Sequence, residues 1–62
     1  MITEAERVSV FEAYAQAFAR GEGTPICYSE AITALRRLHP ELPRERAATE
    51  AVRIIFMRDE QW

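Results

Sequence analysis

The side chains with the widest chemical reach in this chain are Cys27, His39 and ten carboxylates. A thiol nucleophile needs a base within hydrogen-bond reach, and the base needs a group that orients it. Cys27 and His39 are the one nominal pair, twelve residues apart. On a continuous helix rising about 1.5 Å per residue they stand about 18 Å apart, which excludes a dyad. One cysteine and one histidine cannot supply the four protein ligands of a structural zinc site, and a lone cysteine closes no intrachain disulfide. Gly21-Glu22-Gly23 falls far short of the glycine patterns that cradle phosphate. The glutamates lie mostly at expected helix starts or on exposed faces, where capping and solvation account for them. The sequence therefore reads as non-enzymatic, with no cofactor, metal or small-molecule substrate implied.

All eight basic residues are arginine. A GC-rich genome is the simplest cause; selection for planar, bidentate guanidinium contacts is the functional one. The net charge of −2 argues against a non-specific nucleic-acid binder, which needs a basic footprint. Charge is unevenly placed: residues 1–35 carry two arginines against five glutamates, and residues 36–62 carry six arginines against five acids. A helix-turn-helix reading follows from this. The third helix would present Arg44, Arg46, Thr49 and Arg53 to a groove, while Arg36 and Arg37 meet phosphate. Against it, the connection before that helix holds two prolines and no glycine and is longer than usual. Glu45 and Glu50 also dilute the field. The same residues form a solvated ridge if Glu50 pairs with Arg46 four residues away or Arg53 three away.

The elements that must position these residues are legible from capping and periodicity. The chain reads as all-α, a small three-helix bundle in one domain, with helices over about 4–20, 25–39 and 43–59. Thr3-Glu4-Ala5-Glu6 fits a capping box, and Gly21 is the left-handed stop. Val8, Phe11, Ala15 and Phe18 form the expected core stripe of the first helix, with Tyr14 at its margin. Val10, Ala13 and Ala17 form a small-residue back face. Thr24 as cap and Pro25 at the first position open the second helix, with Ser29 as a later alternative start. Its stripe is Tyr28, Ala31, Ile32, Leu35 and Leu38, with Cys27 beside it as a small buried hydrophobe. Pro40 ends that helix near His39, Leu42 plugs the core, and Pro43 pre-sets the third helix.

His39-Pro40-Glu41, placed after a helix carrying Arg36-Arg37 and before another helix, resembles the His-Pro-Asp tripeptide of the J-domain co-chaperones. The resemblance covers three residues and the helix order. Glutamate stands where the family has its partner-binding aspartate, so no membership follows, and His39 reads as a helix C-terminal residue favoured by the dipole.

The third helix sets the functional expectation. Ala48, Ala51, Val52 and Ile55 form its main apolar face, widened by Phe56 on one side and by Ala47 and Ile54 on the other. That arc of about 200° exceeds the stripe of about 100° that a surface helix buries. A chain of 62 residues is short for a self-sufficient core. These features point to a bundle completed by dimerisation or by a protein partner. The expected interface is Ala47, Ile54, Phe56, Met57 and Trp62, with Arg46 and Arg53 at the rim. The unpartnered edge is expected around Ala47, Ile54 and Met57. No apolar run approaches the roughly 20 residues of a membrane span, and the acidic N-terminus lacks the features of a signal peptide. The expected object is a cytoplasmic, bacterial-type or phage inhibitor, adaptor or regulator, with DNA binding as the alternative.

Overall fold

The computed structural model describes the backbone of residues 2–60 and the side chains of residues 2–57. It contains three helices: α1 (Glu4–Ala19), α2 (Thr24–Leu38) and α3 (Arg44–Glu60), and among the described residues there is no strand. All three pairs of helices touch, most extensively α1 with α2. None of the described helices is long and apolar enough to cross a membrane.

Local signals set the boundaries. Thr3 caps α1: its hydroxyl accepts from the Glu6 amide at 3.2 Å, and Glu6 Oε1 accepts from the Thr3 amide at 2.8 Å. This reciprocal box satisfies two otherwise orphaned donors. Gly21, at φ +85°, ends the helix. Its amide donates to Phe18 O at 3.0 Å and the Glu22 amide donates to Ala17 O at 3.1 Å, a Schellman closure. At α2 the cap is Gly23, so Thr24 is the first helical residue and Pro25 the second, one step earlier than the expected register. The start at Ser29 is ruled out. His39 leaves the α region at φ −132°, ψ 75°, as the residue before a proline does. The Leu42 amide then donates to His39 O, closing a turn with Pro40 in its second position. Pro43 O accepts the first helical bond of α3, from Ala47.

Two helices face differently from the sequence expectation. In α1 the buried residues are Val10 and Ala17, from the expected back face. Val8 and Phe18 point outward, Phe18 with 65% of its surface exposed. The cause is steric. Ala17, Cys27 and Ala31 are all fully buried, and side chains this small let α1 and α2 approach closely. Phe11, Tyr14 and Tyr28 pack at the margin of the core as half-buried rings, where Tyr14 meets Tyr28 edge-on at 5.1 Å and Phe11 stacks on Tyr14 at 6.5 Å. In α3 the buried set is Ala47, Ala51, Ile54 and Ile55. On a wheel of about 100° per residue this is rotated by roughly 60° from the expected centre. Ala47 and Ile54 therefore join the core and are not an unpartnered edge, while Val52 and Phe56 turn outward. In α2 only Leu38 departs from the expected stripe; it is exposed. Leu42 packs against the core as expected.

Candidate interaction surface

His39, the C-cap of α2, ties that helix end to α1 and to the turn that leads into α3. Its Nδ1–H donates to Glu41 Oε2 at 3.2 Å. Its Nε2 lies 3.1 Å from Glu6 Oε2, an ion-pair distance without hydrogen-bond alignment. The two oxygens of Glu6 thus do separate work: one completes the capping box of α1, the other meets the C-cap of α2. The amide of Thr3, more than the histidine beside it, holds the Glu6 carboxyl below its ordinary pKa. Glu6 and, to a lesser degree, Glu41 hold His39 above its ordinary pKa, against the opposing effect of burial. The dipole reading of His39 missed both partners. Glu41 sits two residues away in the same turn, but nothing in sequence spacing connects Glu6 with His39.

Beside this junction an open groove of about 430 Å³ runs between α1 and α3. Ile2, Leu42, Ile54 and Met57 are its apolar lining. Arg7 stands on the α1 wall, and Arg46 and Arg53 on the α3 wall. Four expected interface residues, Arg46, Arg53, Ile54 and Met57, therefore converge here. Ile54 is 6% exposed and forms the bottom; Met57, 53% exposed, forms the lip. Ala47 is fully buried and presents nothing to a partner. Phe56 is 61% exposed but points away from this groove. Trp62 lies outside the described residues. Sequence reasoning missed Ile2 and Arg7 as groove residues, because their role depends on how α1 lies across α3.

The residues of the DNA alternative divide between two places. Arg36, Arg37 and Arg44 line a second depression of about 310 Å³ with Ser29 and Thr33. Arg46 and Arg53 line the first groove. Thr49 is exposed and its hydroxyl donates back to Glu45 O at 3.0 Å. Of the two expected pairs on the α3 ridge, Arg53 and Glu50 come to 3.8 Å, while Arg46 forms no ion pair with a described residue.

Cys27 is buried, its Sγ 3.7 Å from Glu22 O, at the opposite end of α2 from His39. Among the described residues no three His, Cys, Asp or Glu side chains come together as a metal site would require. In comparisons with known proteins, no family model, no curated protein and no solved structure matches this chain.

Proposed function

We propose that this chain is a non-catalytic, cytoplasmic protein-interaction module, an inhibitor, adaptor or regulator that acts by helical surface complementarity and self-associates. The observation that carries the reading is the exposure of Phe18, Phe56 and Met57, each more than half open to solvent. Large apolar side chains at the surface beside arginines are the composition of interface anchors and their rims. Arg46 and Arg53 supply the rim beside Met57. Phe56 lies on another face, so the apolar anchors serve more than one contact.

Sedimentation velocity across micromolar concentrations tests the self-association. A concentration-dependent rise from monomer to dimer mass supports it; a monomer throughout removes it. An affinity capture with the full chain tests partner binding, and Phe18→Ser or Phe56→Ser should reduce the stoichiometric partner recovered.

A second reading has its own observation: Arg36, Arg37 and Arg44 share one depression, and no carboxylate lines it. Such a cluster suits phosphate. A DNA reader using these arginines binds duplex with an affinity that falls steeply with salt; no binding at low salt excludes it.

A further inference from the structure

The depression where α2 ends and α3 begins has an unbalanced charge. Arg36, Arg37 and Arg44 line it together with Ser29 and Thr33, and no carboxylate of a described residue does. The α1–α3 groove, by contrast, sets three glutamates against three arginines. Ser29, Thr33 and Arg37 stand four residues apart along α2, so they form one row on its surface. Arg36 stands beside that row, and Arg44 joins it from the first turn of α3. The glutamates nearest in sequence lie outside the depression. Glu30 and Glu45 each follow a lining residue by one position, which turns them about 100° round their helices. Glu41 lines the other groove and is engaged by His39. α3 runs on to Glu60, so the backbone of Asp59 and Glu60 is more than about 20 Å along the axis from Arg44.

Phosphate suits this donor set better than carboxylate. A phosphate monoester presents its free oxygens on a tetrahedron, open to donors from several directions, whereas a carboxylate presents its oxygens in one plane. A monoester also carries a charge of about −1.5 to −2 at neutral pH. Each phosphate of a nucleic-acid backbone carries a single charge, and a strand spreads them along its length. The arginines here gather at one place instead.

We propose that this depression binds a terminal phosphate monoester. Arg36, Arg37 and Arg44 pair with its charge, the Ser29 and Thr33 hydroxyls donate to its oxygens, and Ile32 and Pro40 meet the group that carries it. Such a site is independent of the self-association reading and differs from the duplex reading in the kind of phosphate bound. Small phosphate esters and phosphorylated side chains share this chemistry. All three arginines are exposed, so salt screens them and the affinity for a small probe is modest.

The isotope-labelled full chain is titrated at low ionic strength with phenyl phosphate, methyl phenyl phosphate and benzoate, and amide and arginine side-chain shifts are followed. Phenyl phosphate should give saturable shifts centred on Ser29, Thr33, Arg36, Arg37 and Arg44. Its affinity should exceed that of the diester and of benzoate by about fivefold or more. Arg37→Gln and Arg44→Gln should each weaken it by about fivefold, and Arg46→Gln, on the other groove, by less than about twofold. The spectrum of each variant shows directly that it is folded. Inorganic phosphate and a short phosphoserine peptide separate the sources: a tighter peptide assigns a phosphorylated side chain, and equal binding assigns a small ester.

Equal affinity for monoester and diester overturns the proposal, as does a preference for benzoate or a titration without saturation. Shifts centred away from these residues overturn it too. Duplex DNA that displaces phenyl phosphate from them returns the arginines to backbone reading, and the monoester site fails while the duplex reading stands.

Discussion

At the scale of single residues, His39 is the most informative side chain because it joins sequence-distant parts with opposite titration signs. Its folded pKa is raised, so its contribution is full below its unfolded value near 6.5 and is lost as pH rises through the folded value. Glu6 is the converse: its folded pKa is lowered, so its contribution holds above its unfolded value near 4.5 and is lost as pH falls through the folded value. The pair therefore stabilises the junction in the interval between the two titrations. The expected melting temperature peaks there and declines on both sides. His39→Gln should flatten the alkaline limb and leave much of the acid limb, since the Thr3 amide is the larger influence on Glu6. Thermal melts followed by circular dichroism from acid to mildly alkaline pH check this, and an unchanged alkaline limb in the variant would show that His39 does not act through its charge. Gly21 offers a cleaner measurement. A Cβ placed there meets nothing within 4 Å, so the cost of Gly21→Ala comes from the positive φ alone. That cost should be about 1 kcal/mol in urea unfolding.

At the scale of elements, the order and ends of the helices were readable because their signals act over a few residues. Thr3 with Glu6, Gly21, and Pro40 after His39 each specify a cap or stop without help from the rest of the chain. The facing of α1 and α3 was not readable for the same physical reason in reverse. An apolar arc as wide as that of α3 is compatible with several rotations, and only contact with the other helices selects one. In α1 the large aromatics suggested the core; Phe11 and Tyr14 do pack against it, but the fully buried positions are Val10 and Ala17, and Phe18 is exposed. The groove was half legible: Arg46, Arg53, Ile54 and Met57 are on one helix, but Arg7 and Ile2 come from another. The rotation of α3 can be tested by substitutions only one residue apart. Ile55→Ala removes a fully buried side chain and should cost about 2–5 kcal/mol. Phe56→Ala removes a larger but mostly exposed one and should stay within about 0.5 kcal/mol in dilute solution. Urea unfolding at low micromolar concentration gives both values; the reverse order would mean that Phe56 faces the core.

At the scale of the whole molecule, two properties pull in different directions. The radius of gyration is 10.7 Å, close to the roughly 10.5 Å of a compact domain of this length. Yet among the described residues the largest fully buried side chains are Leu35, Ile55, Val10 and Cys27, and the rest of the buried set is mainly alanine. Such an interior contains little apolar surface, and short domains of this kind are marginal. Association would add what the core lacks, because any partner that binds only the folded chain raises its stability by mass action. If a second copy covers Phe56, the melting temperature should climb by several degrees for each tenfold rise in concentration within the association range. Phe56→Ser should abolish that climb while leaving the melting temperature at the lowest concentration almost unchanged, since an exposed ring contributes little to the isolated bundle. Core damage would behave differently, lowering the melt at every concentration and preserving its slope. Calorimetry from about ten micromolar to one millimolar separates these cases. A wild-type melt that does not move over that range, with monomer mass by light scattering at its upper end, would rule out self-association and leave the exposed rings to a different protein.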